Sequence, residues 1–257
     1  MNSVFIFAFF ALIYSTTGRF VVLPNKAQDS TIEEHPYQVS LGLVNTHYCS
    51  GTILSPDVIL TTGHCADGFA EMSNYSFVRA GSTIKNRGGV IRGIKEVIIH
   101  EKYDYNFTLD HNVALILLNE SLVMTPQIQP ISLPDESEYL KENELAVFAG
   151  WWTTIFNPTP VNRTKILQQV EYSTMSQEEC EKSYADDKLF NTISSRMFCV
   201  TKLNAKSACI GDSGGPLVVN GKVHGLAVVG YNCRNSKPGI ATRVTAIREW
   251  IRSKVNL

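Results

Sequence analysis

Cys209-Ile210-Gly211-Asp212-Ser213-Gly214-Gly215-Pro216 is a glycine-rich turn built around one serine. Glycine tolerates backbone conformations that other residues resist, so such a turn exposes Ser213 and aims neighbouring N–H groups into the space before it. A hydroxyl is a weak nucleophile at its free pKa and needs a base beside it. His64, in Thr61-Thr62-Gly63-His64-Cys65, is the natural candidate. A single histidine is more often structural than catalytic. The serine turn and the histidine beside a cysteine, taken together, point to nucleophilic catalysis.

Around these motifs lie short alternating or apolar runs separated by turn residues: Tyr37 to Leu43, Val58 to Thr62, Val113 to Leu118, Ala146 to Ala149, Ile166 to Tyr172, Leu217 to Val219, Val223 to Val229 and Ile240 to Val244. Many short strands at this spacing imply an all-β protein of sandwich or barrel type. The proline-bearing stretch from Thr125 through Pro126 and Pro130 to Pro134 divides them into two groups, as a linker would. Ser176 with Glu179 three residues on predicts a capped helix carrying Cys180. Ile247, Trp250 and Ile251 recur at helical spacing after Thr245, which predicts a terminal helix.

The apolar run Val4 to Tyr14 followed by Ser15 to Gly18 has the proportions of a signal peptide over residues 1–18. Eleven residues are too few to span a bilayer. Behind an export signal, the six cysteines Cys49, Cys65, Cys180, Cys199, Cys209 and Cys233 suggest three disulfides in an oxidising, extracellular compartment. Asn74, Asn106, Asn119 and Asn162 each begin a glycosylation sequon. No CxxC or HExxH pattern supports a metal site, and no cofactor is expected. A net charge of −1 gives no reason to expect nucleic acid or a membrane as partner, which leaves peptides and proteins.

From about Pro36 to the terminal helix the chain resembles the chymotrypsin and trypsin family of serine proteases. Besides the serine and histidine motifs, the resemblance rests on Pro36-Tyr37-Gln38-Val39-Ser40-Leu41, Ala149-Gly150-Trp151 and Lys237-Pro238-Gly239 in that order. It implies two six-stranded antiparallel β-barrels and a C-terminal helix, with residues 20–125 forming the barrel that carries His64 and residues 126–257 the barrel that carries Ser213. It further implies a monomer, bridges Cys49 to Cys65, Cys180 to Cys199 and Cys209 to Cys233, an oxyanion hole from the Gly211 and Ser213 amides, and an inward pairing of Asp212 with a free N-terminal amine. Ser207, Gly230 and Gly239 would line an uncharged specificity pocket suited to large apolar side chains. The loop after Gly81 lacks the acidic ligands that calcium requires.

The departures from that pattern bear on function. The family's third catalytic residue is an aspartate before an apolar strand, but His111-Asn112-Val113-Ala114-Leu115-Ile116 puts Asn112 there, with Asp110 two residues too early. An amide carries no charge to stabilise an imidazolium and can select the wrong tautomer. Leu23-Pro24 stands where flexible glycines usually let the new N-terminus insert, and Val228-Val229-Gly230 replaces Ser-Trp-Gly in the cleft. The sequence therefore predicts a secreted protease homologue, impaired or inactive, that binds a protein partner. The alternative is an active endopeptidase that cuts peptide or protein substrates after large apolar residues.

Overall fold

The computed structural model describes residues 27–103, 109–151, 165–187, 192–202, 212–229 and 237–257. The described chain opens with a two-residue strand, β1 (Gln28–Asp29), and then builds a first sheet from β2 (Gln38–Leu43), β3 (Thr46–Ser55), β4 (Val58–Thr61), β5 (Ser76–Ala80), β6 (Val90–Arg92), β7 (Ile94–Ile99) and β8 (Ala114–Leu118). Helix α1 (Gly63–Glu71) lies between β4 and β5. The second sheet uses β9 (Leu145–Gly150), β10 (Gln168–Thr174), β11 (Met197–Lys202), β12 (Pro216–Val219), β13 (Lys222–Val229) and β14 (Gly239–Arg243), with α2 (Gln177–Tyr184) after β10 and α3 (Val244–Lys254) at the end.

Each sheet contains seven strand segments, yet each forms a six-stranded barrel. In the first, the order is β6-β5-β2-β3-β4-β8-β7, and β6 and β7 are halves of one strand bent at Gly93, so that strand closes the ring. In the second, β10 pairs with both β11 and β9 and closes the ring itself, while β1 merely extends the β11 side at Gln168 and Gln169. Closure leaves no long unpaired edge, the usual weakness of an antiparallel sheet.

The near-continuous apolar runs reflect two buried faces. Along β4, Ile59 points into the first barrel while Val58 and Leu60 point to the seam between barrels. Along β8, Ile116 and Leu118 fill the barrel while Leu115 joins the seam. Along β12, Leu217 and Val219 fill the second barrel and Val218 faces the seam. Strands covered on both sides lose the polar half of their alternation. The proline-bearing connection contributes Ile128 to the first core and Ile131 to the seam.

Helix α2 is capped as its sequence predicts, the Glu179 N–H donating to Ser176 Oγ at 3.2 Å. Helix α3 starts at Val244, one residue before Thr245, because Val244 is itself buried in the seam with Ile247 and Ile251. Cys49–Cys65 ties β3 to α1, and Cys180–Cys199 ties α2 to β11. The third expected bridge, Cys209 to Cys233, lies outside the described residues, as do residues 1–18. No helix among the described residues is long and apolar enough to cross a membrane.

Candidate active site

The seam between the barrels brings the three chemistry-bearing residues to neighbouring element ends. His64 sits at the start of α1, braced by its neighbour Cys65 through the bridge to β3. Asn112 lies two residues ahead of β8, and Ser213 three residues ahead of β12. The Ser213 turn is docked on the first barrel by the Ser50 N–H, which donates to the Ser213 carbonyl at 2.8 Å. Gly214 has φ +80°, and a Cβ there would fall 2.2 Å from Thr61 Oγ1 and 2.4 Å from the Ser50 carbonyl, so only glycine lets the turn lie this close.

Asn112 is fully buried, and its carboxamide has a determined orientation. Its Oδ1 accepts the backbone N–H of His64 at 3.0 Å. A flipped amide would set N–H against N–H, so Oδ1 must stay there. Its Nδ2 then lies 3.0 Å from His64 Nδ1, nearer than Oδ1 at 3.3 Å. The amide therefore donates to Nδ1, which leaves the ring proton on Nε2. Burial pushes the His64 imidazole below its ordinary pKa. The Asn112 carbonyl accepts from Thr242 Oγ1 at 2.9 Å, which pins this residue to the second barrel.

Ser213 Oγ donates to the Val228 carbonyl at 3.2 Å, and among the described residues no hydrogen bond joins it to His64. The Val228 side chain is buried and supplies no polar atom. The Asp110 carboxylate is engaged by other groups: it accepts from Arg196 Nε and Ser194 Oγ, each at 2.8 Å, and also meets Arg196 Nη2. Burial pushes the Asp110 carboxyl up, but those donors outweigh it and hold it below the ordinary value.

Asp212 is buried, and its carboxylate accepts the Trp151 backbone N–H through Oδ2. Oδ1 lies 3.3 Å from His47 Nε2, close enough for an ion pair although the ring is not aligned for a hydrogen bond. His47 Nδ1 is in turn 2.8 Å from Ser40 Oγ. A Cβ at Gly150 would sit 2.4 Å from Asp212 Oδ2, so the carboxylate occupies space that only glycine leaves. The sequence reading missed His47 altogether. A single histidine in an alternating strand carries no signal of a partner 165 residues away.

Of the expected pocket, Gly239 heads β14 and is buried, whereas Ser207, Gly211 and Gly230 lie outside the described residues. Asn74 is exposed in a 3₁₀ turn and Asn119 is exposed beyond β8, while Asn106 and Asn162 are outside the described residues. The His64 ring approaches Cys49 and Cys65, all three within 4.8 Å, but both sulfurs are bound in the disulfide and offer no thiolate to a metal.

The sequence model of the trypsin family matches residues 25–251. Trypsin 5G1 of Aedes aegypti is 34% identical over 224 residues, covering 86% of this chain and 80% of that protein. A trypsin of Sarcophaga bullata is 37% identical over 225 residues, covering 87% and 85%. A vitellin-degrading protease of Bombyx mori is 30% identical over 227 residues, covering 87% and 82%. Among solved structures, neuropsin, a serine protease expressed in the limbic system of mouse brain, superposes with a TM-score of 0.77 over 90% of this chain and 99% of that one. Its sequence identity is 24%, so the likeness concerns the fold.

Proposed function

The chain belongs to the trypsin family of serine proteases, and from that premise we propose that it is a secreted homologue with strongly impaired or absent peptidase activity, which acts by holding a protein partner. The observation that carries this reading is the Asn112 amide, whose Nδ2 faces His64 Nδ1 at 3.0 Å while Oδ1 is occupied by the His64 N–H. In peptide hydrolysis the histidine must take a proton from the serine hydroxyl at Nε2. With the amide donating to Nδ1, Nε2 already carries the proton. Asn112 puts no charge behind the ring to stabilise an imidazolium, and burial disfavours that cation further.

Ser213, meanwhile, spends its hydroxyl proton on the Val228 carbonyl. Secretion is supported by the apolar run Val4 to Tyr14 and by the two disulfides among the described residues. In a monomeric reading, barrels over residues 20–125 and 126–257 would present the cleft between them to a peptide or protein. The second reading is favoured by the intact His64 and by the Ser213 turn, which is held in register on the first barrel. Amides at Gly211 and Ser213 would then support residual cleavage after large apolar residues, since Ser207 supplies no charge to a pocket it shares with Gly230 and Gly239.

The purified protein is treated with a fluorophosphonate and the adduct mapped by mass spectrometry, with apolar and basic peptide substrates assayed alongside. We expect slow labelling at Ser213 and negligible turnover. Turnover at the rate of an ordinary trypsin would overturn the impaired reading, and faster cleavage after Arg than after Phe or Leu would overturn the pocket assignment.

A further inference from the structure

The two groups that hold Asp212 are themselves held by a single segment of the first barrel, residues 83–86. Asn86 Oδ1 accepts the backbone N–H of His47 at 2.8 Å, at the register shift between β2 and β3. Lys85 Nζ donates to the Trp151 carbonyl at 2.8 Å, and Trp151 Nε1–H donates to the Thr83 carbonyl at 3.0 Å. The rings of His47 and Trp151 meet edge to face with centroids 5.6 Å apart. From its other side the segment is anchored to the second barrel by an antiparallel bridge between Ile84 and Ile166. The Leu167 N–H donates to the Thr83 carbonyl at 2.8 Å, and the Lys85 N–H to the Lys165 carbonyl at 2.6 Å.

We propose that residues 83–86 form a strap that keeps the Asp212 carboxylate against His47, with Asn86 as the positioning residue that aims His47, so that this loop sets the reactivity of the adjoining Ser213. The geometry supports a directed role over mere loop closure. The Asn86 side chain reaches past its own loop to fix the backbone from which the His47 ring projects. His47 and Trp151, the two partners of the Asp212 carboxylate, both take support from this segment. Asp212 is buried directly before Ser213, so moving His47 removes one of the two groups that meet its carboxylate. The inference concerns the same turn as the proposed function but needs no turnover to be read.

Asn86 has φ +61°, a left-handed conformation that glycine, asparagine and aspartate adopt with least strain. Asn86→Gly therefore removes the acceptor without forcing the backbone, and Asn86→Asp keeps an acceptor. With the purified full chain, the histidine ring signals are followed by ¹⁵N-selective NMR and Ser213 labelling by fluorophosphonate kinetics. We expect Asn86→Gly to shift the His47 signals, to leave those of His35 and His224 in place, and to raise the labelling rate at least threefold. Asn86→Asp is expected to restore both. Unmoved His47 signals in Asn86→Gly, or failure of Asn86→Asp to restore what glycine removed, would overturn the strap. If no variant takes the label, the His47 signals decide alone, and the missing label bears on the proposed function instead.

Discussion

At Asn112 one atom separates the observed arrangement from a working one: an oxygen in place of Nδ2 would accept from His64 Nδ1 at the 3.0 Å the amide nitrogen now occupies. Asn112→Asp should therefore restore both the tautomer and the countercharge. In a related serine protease the reverse exchange lowers turnover by about 10⁴, equivalent to about 5 kcal/mol of barrier. We expect a rise in turnover of an apolar peptide that stays short of that factor, because Asp212 is occupied by His47 and Trp151. Asp110→Asn is the control, since Asp110 is bound to Arg196 and Ser194. Equal gains in both variants would show that Asn112 is not the residue that matters. His64, Asn112 and Ser213 each stand in a local motif that the sequence displays, and the structure sets the Asn112 amide against His64. His47 and Asn86 stand in no such motif, since their roles arise from approaches between distant segments that leave no pattern along the chain.

Among elements, the strands read most easily were those with two buried faces, such as β4, β8, β12 and β13, whose apolar runs are short and sharply bounded. β5, β6 and β7 escaped notice because their exposed or half-exposed residues, among them Arg79, Arg92, Lys95 and Glu96, interrupt the pattern. Helix α1 escaped for a different reason: Gly63 and Gly68 weaken its propensity, and Thr62 precedes it without capping it through its side chain. It is held by tertiary means, through Cys65 in its bridge and the fully buried Phe69. Helix α2 is the opposite case, legible from its cap alone. Ser176→Ala removes the oxygen that accepts the Glu179 N–H and should cost about 1 kcal/mol. For a chain of this size that is a fall of about 2 to 4 °C in Tm. Ser176→Asp should retain the stability, and an alanine variant that melts with wild type would show that the Cys180–Cys199 bridge alone fixes this helix.

For the whole molecule, the decisive feature is how many buried or half-buried histidines at the joins between its parts are held below their ordinary pKa. Of the six histidines, His35, His64, His100, His111 and His224 are all pushed below their ordinary pKa, with burial as the first cause in each. His35 lies between the N-terminal segment and β10, its ring 3.0 Å from Tyr37 Oη and 2.9 Å from Gln169 Oε1. His100 stacks on Trp250 of α3 at 4.9 Å and meets His111 at 4.6 Å, so protonating both would place two cations in contact. Around that pair stand Glu101, Lys102, Lys254, Asp110 and Arg196, and the carboxylates only partly offset the repulsion. The unfolded chain takes up these protons near pH 6.5, whereas the folded chain takes them up only at lower pH. Stability contributed by the neutral rings is thus complete above about pH 6.5 and is lost progressively as pH falls below it. A second loss follows at lower pH from carboxylates depressed by their partners, such as Glu101, which Lys254 holds down to about 2. Thermal unfolding followed by circular dichroism from pH 8 to pH 4 should show Tm flat at first and falling below about 6.5. Replacing His100 by Gln, which cannot charge, should make the early part of that fall shallower. A Tm that rises between pH 7 and pH 5 would mean that the histidines gain protons on folding, and would remove the basis for a neutral His64 as well.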